Sequence, residues 1–554
     1  MIGNPMKKTA IAQTAAIFLL ACSTSGFAQT NTDLQGARPV APPSADRVEL
    51  PRFSQGGALP AAGGATVQLK QVEITGNQSI STATLLARLG DVQGRSLDMR
   101  GLAELVNAIS AYYRESGYVF SQAYMPPQDL GAGVLKINVI EGQYGAITAV
   151  GKDNLDKNVQ PFLDYGLFSG APIENKQLER TLLIVDDLPG IKIQPVIKPG
   201  TAQGTADLLV NVVPDEKEES GSIGFDNTGP RSTGEYRLRG TAHFNNKLMF
   251  GDKITLSGLV TDKRMWLGSI DYDAPVGYSG LRGSVGYSRS SYVLGGAFAS
   301  LGAHGIAETV TGQLTHPVVR SQATNLYMSL GLQHKDLKDI YDSVNTTRKK
   351  HTNAVLLGAR FDNRDRIGGG GITYGSMTLM HGSLGLDSSS LSTDAATAQS
   401  AGSFSKFNLD VARIQSLVGD FSLYGRFSGQ WANKNLDSSE KFNLGGFYGV
   451  RSHPLGEGTG DKGYLGQLEL RYALSPAFTP FAFYDAGHSK VNVNPWDANS
   501  SGTRTLTGHG VGLRSLYEGW SIDMTLAYQD RGGATTSDTI NRNPRFFIMA
   551  GTRF

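Results

Sequence analysis

From Gly221 to the C-terminal Phe554 the chain repeatedly alternates apolar and polar residues with a period of two. Tyr236, Leu238, Gly240, Ala242 and Phe244 share one face, and Glu235, Arg237, Arg239, Thr241 and His243 share the other. Tyr464, Gly466, Leu468, Leu470 and Tyr472 alternate with Gln467, Glu469 and Arg471, and Trp520, Ile522, Met524, Leu526 and Tyr528 with Ser521, Asp523, Thr525, Ala527 and Gln529. A period of two predicts strands with unlike faces. The polar faces carry too many charges for the core of a soluble sandwich, where a buried charge needs a partner. Aromatic residues recur at strand ends, as a membrane interface requires. Runs of about 9–11 residues cross the hydrocarbon when tilted. At roughly 21 residues per strand and connection, this stretch predicts an all-β transmembrane barrel of about 16 antiparallel strands. The chain ends as such a strand, with Phe546, Ile548, Ala550, Thr552 and Phe554 on one face.

Upstream, helical spacing interrupts the alternation. A strand over 67–74 breaks at Gly76-Asn77, and a short helix follows over 82–89. Asp98 is placed to cap a helix whose apolar positions Met99, Leu102, Val106, Ile109 and Tyr113 recur at helical spacing, and Gly117 stops it. Strands over 118–125 and 134–140 complete the unit, closed by Glu141-Gly142. The same β-α-α-β-β order then repeats: a strand over 146–150, helices over 154–165 and 174–185, and strands over 191–197 and 207–213. A repeated supersecondary unit is an architectural signal. It predicts two small α+β domains, 67–143 and 144–214, ahead of a barrel over 219–554.

The first 28 residues read as a signal peptide: Met6-Lys7-Lys8, an apolar run over 11–20, and Gly26-Phe27-Ala28 before the cleavage point. The one cysteine, Cys22, lies in Leu19-Leu20-Ala21-Cys22, which resembles a lipoprotein processing site; cleavage after Ala28 discards it instead, leaving no thiol chemistry. Residues 29–66, rich in Pro and Gly, read as a flexible linker with no clear period for a helix that could plug the barrel. Composition narrows the function. With 51 basic and 49 acidic side chains the net charge is +2, which removes the electrostatic case for nucleic-acid binding. Charged residues make up 18% and Gly 69 of 554, with mean hydropathy −0.20, and no apolar run beyond the leader is long enough for a transmembrane helix. Gly458-Thr459-Gly460-Asp461-Lys462-Gly463 matches G-x-G-x-x-G, but an alternating strand follows where a dinucleotide site needs a helix. The nine histidines are scattered without metal-ligand spacing. No catalytic residue, cofactor or metal is expected.

The remaining motifs carry a family resemblance. Tyr113-Arg114-Glu115-Ser116-Gly117-Tyr118-Val119, Pro126-Pro127-Gln128-Asp129-Leu130 and Val139-Ile140-Glu141-Gly142 resemble the first POTRA domain of two-partner secretion transporters, the haemolysin secretion/activation family. The stretch Leu444 to Asp461, with Gly449-Val450-Arg451-Ser452-His453 at its centre, resembles the loop-six motif of the POTRA-plus-barrel superfamily, in which a V-R-G-[YF] tip folds into the lumen. This chain keeps the arginine but has Ser452-His453 in place of the Gly-aromatic pair. Phe483-Tyr484-Asp485-Ala486-Gly487 fits the superfamily's F-x-D-x-G strand motif. The resemblance implies that Arg451 meets Asp485 inside the barrel and that Phe554 serves as the signal read by the outer-membrane barrel assembly machinery. It implies an outer-membrane translocator with periplasmic POTRA domains, bound by membrane lipid, that captures an unfolded adhesin- or haemolysin-like exoprotein and secretes it. An assembly factor (insertase) of the same superfamily is the alternative, though such relatives tend to carry three or more POTRA domains; a passive porin would need no periplasmic repeat.

Overall fold

The computed structural model describes residues 41–42, 59–215, 219–293, 302–498 and 500–554. The expected signal peptide with Cys22, and most of the expected linker, lie outside the described residues. The first domain runs β1 (Val67–Gln68), β2 (Gln71–Thr75), α1 (Thr82–Leu89), β3 (Ser96–Leu97), α2 (Met99–Glu115), β4 (Gln122–Tyr124) and β5 (Val134–Ile140). The Asp98 side chain caps α2 by accepting from the Gly101 amide at 2.9 Å. Leu102, Val106, Ile109 and Tyr113 turn inward from α2 against the sheet β2-β5-β4. Two expected strands are shorter than the pattern suggested. The run over 67–74 breaks at fully buried Leu69, so that β1 pairs with β3 while β2 pairs with β5. Of the run over 118–125 only β4 is a strand. The Tyr118 amide closes back on the Tyr113 carbonyl and the Ser121 amide on Tyr118, which spends the first half of the run on turns.

The second domain repeats the plan with β6 (Gln143–Gly151), α3 (Leu155–Gly166), α4 (Asn175–Asp186), β7 (Ile191–Pro199) and β8 (Thr205–Pro214), in a sheet of order β6-β8-β7. In both domains the last strand takes the centre of the main sheet, parallel to one neighbour and antiparallel to the other.

The barrel comprises β9 (Glu219–Asp226), β10 (Arg237–Asn245), β11 (Lys253–Thr261), β12 (Trp266–Pro275), β13 (Arg282–Val293), β14 (Ala303–Arg320), β15 (Thr324–Tyr341) and β16 (Thr346–Asp365) in its first half. Its second half is β17 (Gly371–Leu386), β18 (Gly402–Ser416), β19 (Phe421–Ala432), β20 (Lys462–Tyr472), β21 (Phe478–Lys490), β22 (Thr503–Tyr517), β23 (Trp520–Arg531) and β24 (Arg545–Arg553). The sixteen antiparallel strands close where β24 pairs with β9. The faces follow the sequence alternation: Tyr236 and Leu238 are exposed outward while Arg237 between them is 1% exposed and paired with Asp226. Strand length departs from the expected 9–11 residues. β14 and β15 have 18 residues and β16 has 20. Their upper parts carry polar residues on the outward face, so the apolar-polar period marks only the stretch that meets lipid.

The second domain seats against one end of the barrel. Asp187, just past α4, accepts two hydrogen bonds from the Arg320 guanidinium, both at 2.7 Å. Glu179 accepts from the Gln322 amide at 2.7 Å, and Asn246 donates to the Pro189 carbonyl at 3.0 Å. Phe162 meets Tyr278 edge to face at 5.1 Å. The β10–β11, β12–β13 and β14–β15 turns therefore lie at the same end as the α+β domains, and the long connections, including the one between β19 and β20, lie at the other.

Candidate functional site

The connection from Ala432 to Lys462 folds back into the barrel. Phe442 and Gly460 bridge its two limbs, and farther in Gly445 bridges Val450. The Val450 amide donates to the Leu444 carbonyl at 2.8 Å and the Gly446 amide to the His453 carbonyl at 2.9 Å, which closes the tip into a tight return. Two glycines make that return possible. Gly446 sits at φ 101°, in the left-handed region, and a Cβ on Gly449 would collide with the Leu444 and Gly445 carbonyls. Leu444 and Val450, both fully buried, pack with Phe442, Leu465 and Leu506 and fasten the tip to the wall.

This places Arg451 against the inner wall. Its Nε donates to Asp485 Oδ2 at 2.8 Å and its Nη2 to Asp485 Oδ1 at 2.7 Å, a bidentate pair, and its own amide donates to Oδ2 at 3.1 Å. Nη1 donates to Glu469 Oε1 at 2.6 Å, and the guanidinium lies 3.6 Å from the Phe483 ring centroid. Arg451 and Asp485 are 3% and 0% exposed, so both charges depend on each other. Glu469, from β20, also accepts from Arg471 and Arg514, and Arg514 donates to Asp523 at 2.9 Å. Three guanidiniums thus meet three carboxylates. Nearby, Gln467 Nε2 donates to the Gly449 carbonyl and Arg426 Nη1 to the Tyr448 carbonyl, so the wall also grips the loop backbone.

The other residues singled out in the sequence fall around this centre. Ser452 and His453 are fully buried; the Ser452 carbonyl accepts from Gln529, and its hydroxyl lies 2.9 Å from His453 Nδ1. Gly487 leaves room for Leu444, since a Cβ there would enter that side chain. The inward positions Gly508, Gly510 and Gly512 of β22 form a trough that receives Ser452, Phe483 and Phe481 in turn. Phe554 lies apart from the loop, at the barrel seam, where its backbone exchanges two hydrogen bonds with Gly221 and its ring is 67% exposed outward. Gly458-Thr459-Gly460 belongs to the returning limb and runs into β20, so no helix follows that glycine motif. Sequence reasoning missed Glu469, Arg471, Arg514 and the β22 glycines as parts of the site. The alternation did turn Glu469 and Arg471 into the lumen, and the glycine period in Thr507-Gly508-His509-Gly510-Val511-Gly512 was legible, but no motif joined them to Arg451.

Comparison with known proteins places the chain in a family. Residues 204–515 match the family described as haemolysin secretion/activation protein ShlB/FhaC/HecB, and residues 67–142 match the POTRA domain of ShlB type. Heme/hemopexin transporter protein HuxB of Haemophilus influenzae is 30% identical over 471 residues, covering 83% of this chain and 82% of that protein. Outer membrane transporter CdiB of Escherichia coli is 26% identical over 285 residues, covering 50% of this chain and 47% of that protein. The solved structure of CdiB from Escherichia coli superposes with TM-score 0.70 at 20% identity and full coverage of both chains, which establishes the fold.

Proposed function

The chain belongs to the haemolysin secretion/activation family of outer-membrane two-partner secretion transporters, and on that footing we propose that Arg451 and Asp485 form the lock that holds the lumen-inserted loop in the resting state of an exoprotein secretion channel. The α+β domains lie in the periplasm and the barrel in the outer membrane, as in the family. The single observation that carries the proposal is the buried bidentate pair, joined by Glu469 and backed by the Phe483 ring. A loop pinned this way fills the path an exported chain has to take, so both its release and its return to this position are steps of transport. The periplasmic sheets leave strand edges β2, β4, β6 and β7, and an unfolded exoprotein adds to such edges through backbone hydrogen bonds. Insertion of the barrel is assigned to the outer-membrane assembly machinery, reading the exposed terminal Phe554.

The test is secretion normalised to inserted barrel. Arg451→Ala and Asp485→Ala should each abolish or strongly reduce exoprotein in the medium while the barrel still inserts and stays heat-modifiable. The double variant should be little worse than either single one, because both act through one contact. Full secretion by Arg451→Ala, or strictly additive losses, would remove the lock from the transport cycle.

A further inference from the structure

The outward face of the long strands β13–β17 holds a second feature, unrelated to the lumen. It reads in register, row by row, away from the periplasmic end. In the first row Val285, Gly312, Leu332 and Val355 lie side by side on β13 to β16. Val285, Leu332 and Val355 are 61%, 63% and 46% exposed, as lipid-facing side chains are, and a Cβ on Gly312 would meet only open space. The missing side chain opens a shallow trough of about 600 Å³ whose upper rim includes His334 and Asn353, and whose far side is His381, beside Val355 in the same row. The next row is Tyr287, Val310, His334 and Asn353, and the one above is Arg289, Glu308, Asp336 and His351. The fourth sets Lys338 directly opposite Lys349, both exposed.

That lysine pair is the anomaly. Like charges directly across a strand pair repel, and among the described residues neither ammonium has an ion-pair partner. The nearby carboxylates are engaged elsewhere. Glu308 accepts from Arg289 at 3.0 Å and from the Tyr287 hydroxyl at 2.7 Å. Asp336 lies 3.1 Å from His334 Nε2. Asp387 receives the Lys349 amide and caps the helix at Ser388–Ala395. An apolar trough at hydrocarbon level beneath an unmatched pair of cations at headgroup level fits an amphiphile with an anionic head. Lysine stems lie along apolar surface and reach such a head from above.

We propose that this face is a docking site for a phosphorylated glycolipid of the outer leaflet, an acyl chain filling the gap at Gly312 and a phosphate bridging Lys338 and Lys349. The site rests on the outer-membrane placement of the barrel and is independent of the Arg451 lock. The experiment is native mass spectrometry of the full mature chain in detergent, titrated separately with bis-phosphorylated hexa-acyl lipid A, dioleoylphosphatidylethanolamine and inorganic phosphate. Lipid A should be retained in preference to phosphatidylethanolamine, and inorganic phosphate should not be retained. Lys338→Gln with Lys349→Gln should lower lipid A retention by about 5-fold per lysine, about 25-fold together. Gly312→Leu, which fills the trough without touching charge, should also lower it. All these positions face outward, so heat-modifiable migration of the barrel should stay unchanged and report that folding is intact. Unchanged lipid A retention in the double lysine variant, equal retention of phosphatidylethanolamine, or binding of inorganic phosphate as tight as that of lipid A would overturn the site.

Discussion

Glu469→Gln separates the part of the charged cluster that holds the loop from the part that belongs to the wall. Glu469 accepts from Arg451 at 2.6 Å, from Arg471 at 2.8 Å and from Arg514 at 3.0 Å. Removing one member of a buried ion pair costs about 3–5 kcal/mol. Most of that cost is common to the loop-in and loop-out states, because Arg471 and Arg514 stay on the wall in both. Only the Arg451 share, about a third, bears on the loop, so the balance shifts toward release by about 1–1.5 kcal/mol, roughly tenfold. Asp485→Asn differs. All three hydrogen bonds its carboxylate accepts come from Arg451 on the loop, so the whole 3–5 kcal/mol counts and release rises by at least about 100-fold. The assay is maleimide labelling of Ser452→Cys, a position fully buried beside Thr507. Cys22 is the only native cysteine and lies in the expected leader, so the engineered thiol is the one that reports. Labelling should accelerate modestly in Glu469→Gln and far more in Asp485→Asn. Equal acceleration in the two, or a larger effect from Glu469→Gln, would refute this partition of the cluster.

Gly508→Val puts a branched side chain where the Ser452 hydroxyl now lies, so the same labelling should report an expelled tip, with secretion lost and the barrel still inserted; a buried thiol in that variant would show the trough is not needed. In the first periplasmic domain Glu141 is buried and accepts from the Gln78 and Ser79 amides at 2.8 Å and from the Ser79 and Tyr113 hydroxyls at 2.7 Å. Burial pushes its carboxyl up, but these donors outweigh it and hold it below the ordinary value of 4.5. A depressed carboxylate stabilises the fold above its unfolded value and loses that contribution as pH falls through the folded one. Amide-exchange protection at Gln78 and Ser79 in the full chain should therefore hold at neutral pH and decline below pH 4.5, and Glu141→Gln should lose about 2 kcal/mol and most of the pH dependence. Protection that ignores pH in the wild-type chain would contradict this.

The barrel was legible because lipid and lumen impose opposite demands on neighbouring residues, and Tyr236, Arg237 and Leu238 obey them without exception. Strand ends were not legible, since above the hydrocarbon His334, Asp336 and Lys338 point outward where the pattern expects apolar residues. In the first domain Tyr118-Val119-Phe120 has the residue types of a strand yet turns, because the Tyr118 amide satisfies the Tyr113 carbonyl at the end of α2. The approach of Arg451 to Asp485 came from two motifs and not from periodicity, as the residues lie on separate elements. Glu469 was readable as lumen-facing but not as a partner of three arginines. That depends on how β20, β21 and β22 are staggered around the barrel, a property of closure that no single strand encodes.

If Arg451 and Asp485 act as the proposed lock, the composition of the cluster bears on why charge suits that task better than an apolar plug. Arg451, Arg471 and Arg514 balance Glu469, Asp485 and Asp523, so the closed state buries no net charge among these six. Apolar contacts are lost in proportion to the area exposed, and a plug held by them loosens gradually as it slides. A buried ion pair behaves otherwise. Separated in a dry site it leaves two unsolvated charges and resists strongly, whereas in water its members are rehydrated and the net difference is small. The proposed Arg451 lock would therefore oppose small displacements of the loop while its surroundings stay packed, and would give way once water enters with it. On the same proposal, an unfolded polypeptide entering the lumen would bring such water with its hydrated backbone. On that proposal the two families of contact divide the work: Leu444 and Val450 set where the tip sits, and the arginine cluster would decide whether it sits there or leaves.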